Sequence, residues 1–315
     1  MGGRVKANRI HRTGSPEVIV FEECERPVPG RGEVLVRVEA SGVGPWDTLV
    51  RTGRSAIAQP LPLTLGSDLA GVVEEVGDGV SHLHTGDEVF GVTNERFTGA
   101  NGQHAVASAA MLARKPGAIG HVEAASVPVV GVTAWQMLFG HARLNPGQTV
   151  LVHGAGGNVG GFAVQFARLE GLNVVATARS REVEAVRDLG ASRVIDISRA
   201  AFEQEIGSVD AVLDTVGGEV QRRSFSVLKP GGTLISTVSR PDAEEAHRRG
   251  VTARFFLVEV TTATLTKIAD LIEAGRVTVR VGTVLPLQEC RKAHEMLDGL
   301  LPHEPGKIVL ENREA

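Results

Sequence analysis

Three glycines spaced three apart, Gly154, Gly157 and Gly160, lie in Val150-Leu151-Val152-His153-Gly154-Ala155-Gly156-Gly157-Asn158-Val159-Gly160-Gly161, where an apolar run breaks into glycine and then into a helix-patterned segment. The chemistry that suits this pattern is the holding of a pyrophosphate. A helix N-terminus offers an anion its unpaired backbone N–H groups and the positive end of the peptide dipoles, and side chains at the turn would obstruct the contact. Glycines permit a tight strand-to-helix turn, close approach of backbone to phosphate, and close packing of helix on strand. Glycine-rich turns also serve loops that bind nothing, so the flanks decide. Thr149 to His153 has a strand's composition, Phe162 to Leu169 suits a helix packed on a sheet, and Asn173-Val174-Val175-Ala176-Thr177 completes a β-α-β unit. The turn reads as a dinucleotide site, with Gly154, Gly156, Gly157, Asn158, Val159 and Gly160 around the phosphates.

The elements that must position this turn form two regions. Up to about residue 110 the chain reads as strands and turns. Val18-Ile19-Val20-Phe21 is apolar, Glu33 to Ala40 alternates with period two, and Pro27, Pro29, Gly30 and Gly32 punctuate the gap. This is a β-rich, barrel-like domain. From Ala124 to Phe139 the pattern turns helical, and Asn145-Pro146-Gly147-Gln148 is a turn into the first strand of the nucleotide domain. Strand and helix signals then alternate as far as Thr252 to Val258, which implies a doubly wound parallel sheet with helices on both faces. The tail carries a helix at Thr264 to Ala274, a strand at Val277 to Leu285, a helix near Leu287 to Leu297, and the strand Lys307-Ile308-Val309-Leu310, which is expected to return to the first domain. The fold class is α/β, with residues 1–120 and 260–315 in one domain and 121–259 in a Rossmann domain.

Composition is that of ordinary globular protein, with 42% hydrophobic and 22% charged residues. A net charge of −4 gives no electrostatic reason for a nucleic-acid partner. The N-terminus, Met1-Gly2-Gly3-Arg4-Val5-Lys6, lacks an apolar core after its charges, so neither a secretory signal nor membrane association is expected, and a cytoplasmic location follows by default. Cys24 and Cys290 build neither a disulfide framework nor a metal knuckle. The chain has no tyrosine, so the Tyr-Lys proton donor of short-chain reductases is ruled out and a reduced product must take its proton elsewhere.

Taken together, the motifs resemble those of the medium-chain dehydrogenase/reductase superfamily, and within it the zinc-independent quinone oxidoreductase branch typified by zeta-crystallin. The likeness runs through Gly66-Ser67-Asp68-Leu69-Ala70-Gly71-Val72-Val73, Gly86-Asp87-Glu88-Val89-Phe90-Gly91, Ala124-Ala125-Ser126-Val127-Pro128, Thr133-Ala134-Trp135, the glycine turn, Leu189-Gly190-Ala191, Asp214-Thr215-Val216-Gly217-Gly218, Lys229-Pro230-Gly231-Gly232 and Gly306-Lys307-Ile308-Val309-Leu310. The resemblance implies a GroES-like barrel beside the Rossmann domain, NADPH-dependent hydride transfer to a quinone or an α,β-unsaturated carbonyl, and a homodimer or homotetramer. Alcohol dehydrogenases of the superfamily hold a catalytic zinc. By the same resemblance their cysteine ligand falls at Gly44 and their histidine ligand at Ser67, and the structural four-cysteine lobe would lie between Gly91 and Gln103, where no cysteine occurs. No metal is expected. The alternatives are an enoyl-thioester reductase, which needs basic residues for a coenzyme A phosphate, and an NADPH-binding structural or RNA-associated protein with little turnover.

NAD-specific sites place an acidic residue at the end of the second strand, where it accepts from the adenosine ribose. Here that point reads Ala176-Thr177-Ala178-Arg179-Ser180, with no carboxylate. Arg179 could pair with a 2′-phosphate and Thr177 or Ser180 could donate to it, so NADPH is the expected cofactor. Thr215 and Val216, Ser236 and Thr237 fall at the ends of the fourth and fifth strands, at the carboxyl edge where cofactors bind. By resemblance, Thr133 lies near the nicotinamide ribose, and the backbone of Phe255 to Val258, including Phe256 and Val258, near the nicotinamide amide. Asp47 and Arg51 match family positions in Gly44-Pro45-Trp46-Asp47 and Arg51-Thr52-Gly53, and Trp46 is a wall for a flat acceptor. Four residues apart, Asp47 and Arg51 also fit a structural ion pair. His104 and Asn94 are candidates by residue type alone.

Overall fold

The computed structural model of the chain describes residues 3–57 and 59–313. In chain order its first region contains β1 (Arg4–Ile10), β2 (Ile19–Glu25), β3 (Glu33–Val43), α1 (Pro45–Arg51), β4 (Leu63–Thr64), β5 (Asp68–Val76), β6 (Glu88–Val92), β7 (His104–Ser108), β8 (Leu112–Arg114) and α2 (His121–Ala125). There follow α3 (Pro128–Trp135), β9 (Thr149–Val152), α4 (Asn158–Leu169), β10 (Asn173–Ala178), α5 (Val183–Asp188), β11 (Arg193–Asp196), α6 (Phe202–Glu205), β12 (Val209–Asp214), α7 (Gly218–Ser224), β13 (Leu228–Ser236), α8 (Ala243–Arg249) and β14 (Thr252–Phe255). The chain closes with α9 (Thr262–Glu273), β15 (Val281–Pro286), α10 (Cys290–Leu297) and β16 (Lys307–Glu311).

Two units result, one of residues up to 129 together with those from 260 on, the other of residues 130–259. The first boundary lies at Val129, not after residue 120, because α2 packs on β3, β5 and β16 of the barrel unit. Its expected continuation as one helix from Ala124 to Phe139 is also corrected. The helix stops at Ala125, and Pro128 opens α3, since a proline supplies no N–H to a preceding turn but suits a helix's first position.

The barrel unit's larger sheet runs β15-β16-β3-β5-β6-β8, with β7 pairing β3, and a smaller sheet runs β2-β1-β4. The period-two segment seen in the sequence becomes β3, whose Val34, Val36 and Val38 are buried among Leu69, Val73, Val89 and Leu112. β16 returns from the far end of the chain and pairs antiparallel with β3, Ile308 opposite Val43 and Leu310 opposite Ser41. Ile308 and Leu310 pack with Val43, Val50 and Leu285 in a second apolar cluster.

The other unit is a sheet of order β11-β10-β9-β12-β13-β14, every neighbouring pair parallel. Counted along this unit, the order is third, second, first, fourth, fifth, sixth, so the direction of winding reverses at β9. Ligands of open parallel sheets bind at the carboxyl ends of the strands beside such a reversal. Leu151, Val175 and Val212 from adjacent strands share one core with Phe202, Phe225 and Leu234. On α4, Phe162, Ala163, Val164, Phe166 and Ala167 are buried, and the Phe166 ring meets that of Trp135 edge-on at 5.4 Å between centroids.

Candidate functional site

The glycine turn leaves β9 at the reversal point. Gly154 adopts φ +68°, and a Cβ there would stand 2.5 Å from the Thr215 hydroxyl, so only glycine satisfies both the backbone and the space. The Thr215 hydroxyl donates to the His153 carbonyl at 2.8 Å, which ties the ends of β9 and β12 together. Gly157 is exposed and is the N-cap of α4 without a side-chain cap, leaving the first-turn N–H groups of a twelve-residue helix without that partner. Gly160 is buried; a Cβ there would meet the Gly154 carbonyl oxygen at 2.3 Å, so α4 lies directly on the turn that precedes it. Asn158 and Val159 are half-buried in the same first turn. The arrangement suits a pyrophosphate: an uncapped helix start and a turn of glycines whose backbone has no side chain of its own in the way.

Below the turn, His153 is fully buried between the Thr177 hydroxyl at 3.1 Å from Nδ1 and the Ser224 hydroxyl at 2.9 Å from Nε2. Burial lowers its pKa to about 4, so the ring is neutral. Ser224 donates to the Val220 carbonyl at 2.7 Å and therefore accepts from Nε2–H, which leaves Nδ1 to accept the Thr177 proton. Thr177 is thus turned inward, and its expected donation to a 2′-phosphate is corrected. Ser180 is exposed but already donates to Asp196 at 2.7 Å.

The strand end itself carries no carboxylate, as the sequence reads, but one approaches it from farther along the chain. After β10 the chain makes a short 3-10 turn, and the carboxylate of Glu182 folds back to accept the Arg179 N–H at 3.1 Å. It lies against Gly156, where an added Cβ would be 2.4 Å from Oε2. Arg179 itself is exposed.

Asp214 ends β12 and organises the neighbouring strand ends. One carboxylate oxygen accepts the Val216 and Gly217 N–H groups at 3.0 and 2.8 Å, and the other accepts from Gln221 and the Ser236 hydroxyl at 2.9 and 2.8 Å. Ser236 is fully buried in this network, so it acts by shaping the turn, while Val216 is exposed and Thr237 half-buried beside it. β14 stops at Phe255, one residue before Phe256, whose ring packs on His141 at 4.3 Å. Val258 is half-buried, and Thr133 is buried within α3.

In the barrel unit, the turn after β3 carries a second cluster. The Trp46 indole donates to the Ser67 hydroxyl at 2.9 Å, and the Lys307 ammonium stands 4.0 Å from its ring centroid. A Cβ at Gly44 would lie 2.4 Å from the indole, so glycine at 44 is what lets the ring fold over its own turn. Lys307 pairs with Asp68 at 2.8 Å, both buried, and the other Asp68 oxygen accepts the Val129 N–H at 3.0 Å. Asp47 and Arg51 do not pair. Asp47 caps its own helix, accepting the Gly44 N–H at 2.7 Å, and burial raises its carboxyl to about 7. Arg51 is buried on the Gly14 carbonyl and on Asp298, at 3.1 and 2.7 Å, and anchors α1 to the residue after α10. Both placements are structural, as the sequence allowed, but the ion pair expected between the two is corrected: each holds a partner outside α1. His104 faces Glu74 at 3.0 Å in a surface charge cluster with Arg26 and Arg37, and Asn94 bonds Thr98 and Arg96 within its own loop.

A family model described as alcohol dehydrogenase GroES-like domain matches residues 30–135, and one described as zinc-binding dehydrogenase matches residues 189–310. The quinone oxidoreductase of Mus musculus is 31% identical over 97% of this chain and 97% of its own. The solved structure of the quinone oxidoreductase from Coxiella burnetii matches with a TM-score of 0.91 at 29% identity, over 99% of this chain and 100% of the other. The chain belongs to the medium-chain dehydrogenase/reductase superfamily. It is a quinone oxidoreductase-like member of it, and so an oxidoreductase from a superfamily that works with nicotinamide cofactors. The Escherichia coli quinone oxidoreductase, solved in complex with NADPH, matches with a TM-score of 0.86 at 25% identity, over 96% of this chain and 99% of that one.

At the two positions where the resemblance places the zinc ligands of alcohol dehydrogenases, Ser67 accepts from the Trp46 indole and Gly44 leaves the room that the ring takes. Among the described residues, no group of three or more His, Cys, Asp or Glu is placed to hold a metal ion. Sequence reasoning named Trp46 but missed Ser67, Asp68 and Lys307 as its setting. One signal was available for Lys307: a lone cation in Ile308-Val309-Leu310's strand, where a buried charge needs a buried partner.

Proposed function

We propose that this chain transfers hydride from a reduced nicotinamide dinucleotide to a quinone or an α,β-unsaturated carbonyl, without a catalytic metal. The observation that carries the reading is the Trp46 indole. Held by Ser67 and Lys307, it fills the space a side chain at Gly44 would need, so the position offers a flat aromatic wall in place of a metal's ligands. A simple ketone gains most from a Lewis acid on its oxygen. Quinones and conjugated enones accept hydride more readily and stack on indole, which suits a wall of this kind.

When bound, the reduced nicotinamide supplies two electrons as hydride. The residues of this chain bind and orient it: the glycine turn and the start of α4 take the pyrophosphate, and the Asp214 network fixes the ends of β12 and β13. Rate enhancement comes from holding donor and acceptor in contact, and the product's proton comes from water or a nearby hydroxyl other than tyrosine's, the chain having none.

The test is loss of nicotinamide absorbance when the purified protein meets NADPH or NADH with an ortho-quinone, and separately with a conjugated enone, in chelator-treated buffer. Oxidation that survives chelation and falls on Trp46→Ala supports the proposal. Oxidation abolished by chelation and restored by zinc would overturn the metal-free reading. Failure of every acceptor, despite measurable dinucleotide binding, would overturn the acceptor class in favour of an enoyl thioester or a non-catalytic role.

A further inference from the structure

The short turn after β10 brings a carboxylate back onto the glycine loop, and neither its spacing nor its position is that of a residue at the strand end itself. We propose that Glu182 reads the adenosine ribose hydroxyls of the dinucleotide and disfavours a 2′-phosphate, so that NADH is the preferred hydride donor. The inference rests on the dinucleotide-binding reading and concerns the chain's choice between the two donors.

Glu182 Oε2 accepts the Arg179 N–H at 3.1 Å, and Oε1 lies 3.8 Å from the Arg181 guanidinium, beyond hydrogen-bond distance. Its side chain is 15% exposed, so the carboxylate is sheltered yet reachable. Oε2 and Cδ would lie 2.4 and 2.6 Å from a Cβ at Gly156; the bare glycine is what admits the carboxylate to the loop. Strand order makes β10 the second strand of the nucleotide unit, at whose carboxyl end ribose hydroxyls are recognised. A carboxylate there accepts from two hydroxyls but repels a phosphate dianion. The hydroxyls that could have donated to a phosphate are engaged elsewhere, Thr177 on His153 and Ser180 on Asp196. Asp196 adds a second negative charge beside the same strand end. Against these, Arg179 is an exposed cation on a flexible stem, while Arg181 and Arg199 already face Glu182 and Asp196 at 3.8 and 3.3 Å.

A purely structural role for Glu182, as the cap of its turn, would affect both nucleotides alike. Isothermal titration of the full-length protein with NADH and with NADPH therefore separates the two. The wild type is expected to bind NADH at least about tenfold tighter than NADPH. Glu182→Gln keeps an oxygen for the Arg179 N–H while removing the charge; it should weaken NADH about tenfold and strengthen NADPH, moving the ratio about a hundredfold, the scale of hydrogen bonds to a charged group. Arg179→Ala should leave the order of preference unchanged. Tighter binding of NADPH by the wild type would overturn the proposal, as would a ratio that Glu182→Gln moves less than about threefold with an unchanged melting temperature. The wild-type preference stands as a test by itself should the variant not fold. If neither nucleotide binds, the dinucleotide reading falls as well. If NADH binds with the stated preference and no acceptor is reduced, the assignment of Glu182 stands and only the acceptor class fails.

Discussion

Asp47 should make the protein less stable as pH rises from about 4 to about 7, and the size of the effect follows from its surroundings. Its carboxyl is fully buried, with Oδ2 on one backbone N–H and Oδ1 without a hydrogen-bond partner. Burial dominates over that single N–H and over Lys307, and lifts the pKa from an ordinary 3.8 to about 7. Between these values the folded chain keeps a proton that the unfolded chain has released. Stability therefore falls with rising pH across this window, and the penalty is complete above about pH 7. At about 1.36 kcal/mol for each tenfold change in proton affinity, the difference between 7 and 3.8 amounts to about 4 kcal/mol. Asp47→Asn retains an oxygen for the Gly44 N–H and cannot ionise. Its unfolding free energy, relative to wild type, should thus grow by about 4 kcal/mol between pH 4 and pH 8. Urea denaturation followed by far-ultraviolet circular dichroism at four pH values in this range measures it. The neutral, buried His153 costs stability in the opposite direction, as pH falls from 6.5 toward about 4, but it does so in both proteins and cancels in the difference. Parallel stability curves for variant and wild type, within about 1 kcal/mol, would refute the reasoning. They would mean that Asp47 is ionised in the fold, and they would reopen a role for its charge.

Gly160→Ala should cost about 1–3 kcal/mol, because the new methyl meets the Gly154 carbonyl oxygen and α4 must retreat from the turn; calorimetry should show a lower melting temperature and a fluorescence titration weaker binding of both nicotinamide dinucleotides. Lys307→Met should cost about 3–5 kcal/mol by stranding the buried Asp68 carboxylate, and adding Asp68→Leu should recover most of it, as read by denaturant unfolding of the single and double variants.

Much of the architecture was legible in the chain because its signals are local. Alternation in Glu33 to Ala40 becomes β3, and the apolar runs around Val150, Val174 and Val212 become adjacent parallel strands. The glycine spacing was readable for the same reason: a strand that turns at once into a helix, as between Val152 and Asn158, leaves its mark within a dozen residues. The return of Lys307 to Leu310 to the first domain was legible as an unpartnered strand, though not its pairing with β3.

The site's chemistry was less so. Asp47 and Arg51 were paired by helical spacing, yet each found a better partner off the helix, the Gly44 N–H and Asp298. Thr177 was counted as a donor to phosphate by residue type, and only the packing of His153 beneath it shows which way its hydroxyl points. The chain by itself determined a doubly wound parallel sheet with a glycine turn at the end of its first strand, a β-rich partner unit, and glycine and serine at positions 44 and 67, where the resemblance implies zinc ligands in alcohol dehydrogenases. Tertiary structure alone decided what stands in their place, the indole of Trp46 under Lys307, and that a carboxylate, Glu182, returns to the end of β10. Periodicity reports which face of an element is buried, but the direction of a side chain at a turn depends on backbone angles and on neighbours distant in sequence, and it is there that charge meets ligand.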